Sequence, residues 1–146
     1  MKVYLDVCCL NRPFDDQTHD RIRLEREAVL AIISRCQTGN WLLVGSEAID
    51  IEVSNIPDRE KRQKVGILYS ISQSNVIVGA DVEKRAIDLE NLGFNPFDAL
   101  HISCAEESKV DVLLTTDDIL LRKAVQNKDV LNVRMRNPVK WLIEVI

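Results

Sequence analysis

Apolar residues along the chain fall into two kinds of run. Short, continuous apolar stretches stand at residues 2–6, 41–44, 75–78, 112–114 and 131–134. They are too short for helices and rich in branched side chains, so each predicts a buried strand. Longer stretches between them carry apolar residues at helical spacing. Ile22, Val29, Ile32, Ile33 and Cys36 form one such face, with Gly39 just past its end. Ser46 can cap a helix over 47–54, Pro57 breaks it, and 59–70 reads as a further helix. Asp81 can cap a helix over 82–91 that Gly93 ends. Asn95-Pro96 opens the next, to Ser108. Asp117 or Asp118 opens another to Gln126, and 138–145 closes the chain as a helix. The polar stretch from Asn11 to Asp20, which contains Pro13, is expected to be a loop.

Strands that alternate with helices predict a parallel sheet covered on both faces. The expected fold is therefore an α/β three-layer sandwich: a five-stranded parallel sheet, order 3-2-1-4-5, with helices on both sides. No repeat, low-complexity segment or linker interrupts the pattern, so residues 1–146 are expected to form one domain.

A composition of 46% hydrophobic and 29% charged residues excludes a disordered or collagen-like chain. Aromatics at 5% argue against a base-stacking RNA platform. No apolar run approaches the roughly 20 residues of a membrane span. The apolar start, Met1 to Leu5, meets Asp6 too early for a signal-peptide core. A cytoplasmic protein is expected. Cys8, Cys9, Cys36 and Cys104 include no Cys-x-x-Cys, and His19 and His101 lie far apart, so no zinc spacing exists and the cysteines read as small buried residues. The net charge of −4 is unevenly spread: residues 119–146 carry six basic residues against Asp129 and Glu144. An acidic protein with such a patch can bind a polyanion if cations neutralise its acidic site.

In an open parallel sheet the ligand crevice lies beyond the carboxyl ends of the strands, at the switch in strand order. Asp6 ends the first predicted strand, and Asp117 and Asp118 follow the fourth. Order 3-2-1-4-5 makes those strands neighbours. Asp98 falls in the first turn of a helix whose Phe97, Ala99, Leu100 and Ile102 predict burial. Glu52 shares a helix face with Ala48 and Ile49 and points inward, whereas Glu47 and Asp50 face solvent. Carboxylates gathered at one rim repel one another, and a hard divalent cation such as Mg2+ relieves that. The chemistry this suggests is phosphodiester hydrolysis. His101, one turn after Asp98, reads as a packed histidine, because no nucleophile accompanies it.

These residues carry a family resemblance. Tyr4-Leu5-Asp6, Ser46 with Glu52, Pro96-Phe97-Asp98-Ala99-Leu100-His101 and Leu113-Leu114-Thr115-Thr116-Asp117 resemble the motifs of the PIN-domain family, including the VapC-type toxins. The resemblance covers essentially the whole chain. It implies a Mg2+- or Mn2+-dependent endoribonuclease that cleaves single-stranded RNA, the toxin of a toxin–antitoxin pair. It also implies a homodimer and a cognate antitoxin that inserts a basic side chain among the acids. Asp6, Asp98 and Asp117 match the metal-binding aspartates, Glu52 the catalytic glutamate, and Thr115 the threonine that orders the last acid.

The chain departs from the family pattern after Asp6, where Val7, Cys8 and Cys9 replace the usual Thr or Ser and Asn. The hydrogen bond to Asp6 is then either lost or supplied by Asn11. Asp118 is an extra acid able to share the metal. Arg12 can touch substrate phosphate or fold over the acids. Two other readings stay open. One is a catalytically degenerate PIN-like binding module. The other is a receiver-type phosphoacceptor domain, which would want adjacent acids after strand one and a lysine after strand five. Here Val7 and Arg134-Met135-Arg136 stand there.

Overall fold

The computed structural model describes residues 1–146. Its centre is β1 (Lys2–Leu5), where Val3, Tyr4 and Leu5 are no more than 1% exposed. A strand buried this thoroughly has sheet neighbours on both edges and helices on both faces. β1 pairs in parallel with β2 (Leu42–Ser46) through Val3 and Leu43, and with β4 (Val112–Leu114) through Tyr4 and Leu113. β3 (Ser74–Val76) extends the sheet beyond β2, and β5 (Met135–Arg136) beyond β4. The five-stranded parallel sheet has the expected order, β3-β2-β1-β4-β5. Right-handed crossovers from such an order place helices on both faces.

The connections are α1 (Val7–Asn11), α2 (Asp20–Gln37), α3 (Glu47–Ser54), α4 (Arg59–Tyr69), α5 (Ala80–Asn91), α6 (Pro96–Glu107), α7 (Asp118–Gln126) and α8 (Pro138–Val145). α5 pairs with α6, and α2 with α8. One cluster of 33 buried residues runs from Val3 to Trp141 and includes Ile32, Ile49, Leu89, Ile102 and Leu113.

Several expectations about elements change. Residues 11–20 are not all loop: the chain turns directly from Asp6 into α1, and Arg12–Phe14 forms a 3-10 turn. Pro13 fits there because its missing N–H falls in the first turn. α5 begins at Ala80 after Gly79, without the side-chain cap assigned to Asp81. The fifth strand lies at 135–136 rather than 131–134. Polar partners outside the sheet hold the apolar 130–133 stretch as a loop. Arg85 Nη2 donates to the Val130 carbonyl at 2.7 Å, and the Asn132 N–H donates to Glu106 at 2.7 Å. The third strand correspondingly starts one residue early and ends at Val76, so Ile77 and Val78 lie outside it.

Glu25 of α2 is 1% exposed, yet it is a charged side chain inside the fold. Burying a carboxylate is tolerable only with partners, and Glu25 is well supplied. Arg12 Nε donates at 2.8 Å, Arg21 Nε at 3.2 Å and Asn137 Nδ2 at 2.7 Å. These bonds tie the 3-10 turn and the start of α8 to α2. Removing the carboxylate strands the buried Asn137 amide and releases two guanidinium groups. Glu25→Ala is expected to cost about 3 kcal/mol, read as a drop in the urea midpoint without a change in slope.

Candidate active site

Asp6 stands where β1 stops. Its backbone N–H donates to the Leu114 carbonyl at 2.9 Å, so the sheet delivers it to the β1–β4 junction at the carboxyl edge. Asp6 precedes α1, but its side chain does not cap that helix. The carboxylate turns to other donors: Thr115 Oγ1 at 2.9 Å and the Cys8 thiol at 3.4 Å, both on Oδ2. Cys8 Sγ also lies 3.3 Å from Thr115 Oγ1 and accepts the Thr116 N–H at 3.3 Å. The support expected from Asn11 therefore comes from Thr115 and Cys8 instead. The Asn11 side-chain oxygen is buried and has no partner.

Asp117 caps α7, its Oδ1 accepting the N–H groups of Ile119 at 3.0 Å and Leu120 at 3.2 Å. Its own N–H donates to Thr115 Oγ1 at 3.2 Å. One hydroxyl thus joins the first and last acids. Asp98 sits in the first turn of α6, where the Asn95 side chain caps its N–H at 2.8 Å and returns an amide N–H to its Oδ2 at 2.8 Å. The cap and Pro96 at the first helical position follow the sequence reading. Asp98 is half-buried, and its pKa is raised to about 6 by burial first and then by the charges of Asp6, Asp117 and Glu52, partly opposed by His101. Asp98 therefore registers the other three acids electrostatically.

Glu52 projects from the last turn of α3 and accepts a hydrogen bond at Oε1 from His101 Nε2 at 2.9 Å. His101 is buried, but it is not the inert packed residue the sequence suggested. Its Nδ1 lies 2.6 Å from the Tyr4 hydroxyl, which lies 2.7 Å from Ser46 Oγ. Ser46 in turn accepts the Ile49 N–H at 3.1 Å as the cap of α3. Burial pulls the His101 pKa down, but the bond to Glu52 and the charges of Asp6, Glu52 and Asp98 outweigh it and hold it above the ordinary value. Ligand atoms of Asp6, Glu52 and His101 all lie within 4.8 Å of one another. The sequence signal for His101 was its place one turn after Asp98.

Two residues assigned to the site point elsewhere. Asp118 is exposed and bound in two places by Arg21, at 2.6 and 2.7 Å, which holds its carboxyl below the usual range. It is an ion-pair partner, not a further acid at the cluster. Arg12 neither covers the acids nor stands free, because Glu25 and Asp15 occupy its guanidinium. Of the acids assigned to solvent, Asp50 is exposed, whereas Glu47 is half-buried and accepts the Val78 N–H at 2.9 Å. Cys9, Cys36 and Cys104 are buried as expected, and Cys8 is half-exposed at the site.

The decisive electrostatic feature is a contrast. Buried Glu25 has two arginines. Asp6, Glu52, Asp98 and Asp117 have no lysine or arginine partner, only the His101 imidazole on Glu52. Oxygen donors held close without a balancing cation suit a hard divalent ion. Of these groups, Asp6 and Glu52 have ligand atoms close enough, with His101, to share one ion.

A parallel α/β sheet with an uncompensated carboxylate centre at its switch point defines a candidate metal-dependent hydrolase. The PIN domain model matches residues 3–126, and the chain belongs to the PIN domain family, a family of nucleases. No curated protein matches it by sequence. Among solved structures it resembles VapBC2 from Rickettsia felis bound to a DNA fragment from their promoter. The TM-score is 0.62 over 94% of this chain and 98% of that one, at 18% identity. At that identity the likeness is one of fold.

The Asp98 carboxyl holds its proton more tightly in the folded chain than in the unfolded one, where it titrates near 3.9. Its contribution to stability is present in full below about pH 4 and is lost as pH rises through about 6. Asp98→Asn removes that loss. In chelator the variant is expected to melt above the native chain near neutral pH, with the gap closing as the pH is lowered towards 4. A variant that melts lower at every pH would make Asp98 a simple capping acid.

Proposed function

We propose that this chain, residues 1–146 as one PIN-like domain, is a Mg2+- or Mn2+-dependent endoribonuclease that cleaves single-stranded RNA. In this reading it is the cytoplasmic toxin of a toxin–antitoxin pair. The observation that carries it is the carboxylate cluster left without lysine or arginine at the β1–β4 switch point. A divalent cation held by Asp6, Asp98 and Asp117 would lower the pKa of water and balance charge developing on a phosphodiester. The residues of the chain do the rest. Thr115 orients Asp6 through its hydroxyl and fixes Asp117 through the backbone. Asn95 aims Asp98. Glu52 keeps Oε1 on His101, while its other oxygen makes no hydrogen bond within the protein and can accept a proton from water.

An RNA strand needs cations outside the acids. A groove of about 740 Å³ beside α7, edged at one end by Asp118, is lined by Arg122, Arg136 and Lys140 over an apolar floor of Leu121, Val125 and Met135. Arg122 and Lys140 have no ion-pair partner. A basic wall on the helix that Asp117 caps suits a polyanion. The Rickettsia felis relative, solved as a VapBC complex, supports an antitoxin partner for this chain. A basic antitoxin side chain and a homodimer belong to the same reading. The degenerate-module reading rested on the residues after Asp6, and Cys8 still donates to that carboxylate. The receiver reading would need a lysine after β5, where Asn137 and Pro138 stand.

Chelation is expected to abolish RNA cleavage and leave the far-ultraviolet circular dichroism spectrum unchanged. Asp98→Asn should lower the cleavage rate by at least about 100-fold, with Asp50→Asn as an active control. Cleavage that survives chelation would sink the metal-dependent reading.

The groove has its own test, run in chelator so that binding is separated from cleavage. Arg122→Glu combined with Lys140→Glu should weaken binding of a single-stranded RNA. It should also flatten the salt dependence by about 0.7 of a unit of slope for each phosphate that is no longer neutralised. An unchanged slope would place the RNA elsewhere.

A further inference from the structure

Three elements each supply one acid and one residue of a second, buried polar chain. β1 carries Asp6 and, two residues earlier, Tyr4. α3 carries Glu52 and is capped by Ser46. α6 carries Asp98 and, one turn later, His101. Ser46 Oγ, the Tyr4 hydroxyl, His101 Nδ1 and Nε2, and Glu52 Oε1 are joined at 2.7, 2.6 and 2.9 Å. The chain leaves α3 at its cap and returns to it at its last turn.

We propose that His101 is a positioning residue that holds the Glu52 carboxylate in the acid cluster, and that Tyr4 and Ser46 fix His101 in turn. The assignment rests on the nuclease reading of Glu52. Glu52 needs such a hold. Its side chain is long and one-third exposed, and it leaves a helix end beside other carboxylates that repel it towards solvent. No lysine or arginine opposes that movement.

The donor logic shows why the hold is dependable. A carboxylate only accepts, so Nε2 must carry its proton towards Glu52. If the ring is neutral, Nδ1 accepts from the Tyr4 hydroxyl, which accepts from Ser46. If the ring is charged, Nδ1 donates to Tyr4, which donates to Ser46. The N–H facing Glu52 is the same in both cases. Both ring nitrogens are thereby engaged, and His101 stands behind Glu52 rather than as a metal ligand in its own right.

The test uses full-length His101→Leu, His101→Gln and Tyr4→Phe, with Mn2+ binding followed by electron paramagnetic resonance and melting followed in chelator. His101→Leu is expected to weaken Mn2+ binding by about 10-fold or more. Gln can present an amide N–H to Glu52 and should restore most of the affinity, a rescue that a packing role would not produce. Tyr4→Phe deletes one oxygen. It should weaken binding less and shift the His101 Nδ1 15N resonance, because that nitrogen loses its hydrogen-bond partner. If His101→Leu does not fold, the Gln and Phe variants carry the comparison with the native chain. Mn2+ affinity unchanged in His101→Leu overturns the assignment, as does His101→Gln binding as weakly as His101→Leu. A Tyr4→Phe variant unchanged in both Mn2+ affinity and 15N spectrum overturns it too. Nitrogen hyperfine coupling to the bound Mn2+ also overturns it, by making His101 a ligand. A native chain that binds no Mn2+ overturns the nuclease reading and this assignment with it.

Discussion

The rest of the site depends on carboxylates held together without lysine or arginine. At close range two like charges oppose each other by about 4 kcal/mol in a protein-like environment, and at Asp98 this repulsion adds to burial in raising the pKa to about 6. The fold opposes this repulsion by geometry. β1 is buried on all sides and ends at Asp6, β4 leads to Asp117, and the caps of α3 and α6 are fixed by Ser46 and Asn95. None of these supports can relax without opening the sheet edge or a helix cap. Glu25, in the same chain, shows the alternative in which a buried acid is met by two arginines and becomes purely structural. The two treatments of buried acid separate the part of the molecule that holds itself together from the part arranged to receive a cation.

Much of this was legible in the sequence because it follows from local pattern. Parallel strands announce themselves as short apolar runs, and the order that makes β1 and β4 neighbours brings Asp6 and Asp117 together with no long-range information. Asn95-Pro96 ahead of Asp98 is a helix start readable from a few adjacent residues. Glu52 could be turned inward from the positions of Ala48 and Ile49. What escaped was settled by partners far away in the chain. His101 meets Tyr4 across 97 residues and Glu52 across 49, and Cys8 meets Thr115 across 107. No spacing rule reports such pairs. Arg12 and Asp118 escaped for the same reason, because Glu25 and Arg21 had already taken them. The fifth strand was displaced because an apolar run is necessary for a buried strand but not sufficient. Arg85 and Glu106 offered the 130–132 backbone better partners than the sheet edge did.

The residues after Asp6 show how a departure from a family's pattern can keep a function's geometry. A thiol is a weaker donor than a hydroxyl and reaches further, and Cys8 sits 3.4 Å from Asp6 where Thr115 sits at 2.9 Å. The stronger hold on Asp6 has therefore passed to Thr115. That hydroxyl has one proton. Donating it to Asp6 leaves a lone pair for the Asp117 N–H, while the single proton of the neighbouring Cys8 thiol also goes to Asp6. Thr115 is fully buried at the end of β4, so its position is set by the sheet rather than by a mobile loop. A substitution at position 8 can thus be absorbed, because the geometry of both acids is referred to a residue the central strands hold fixed.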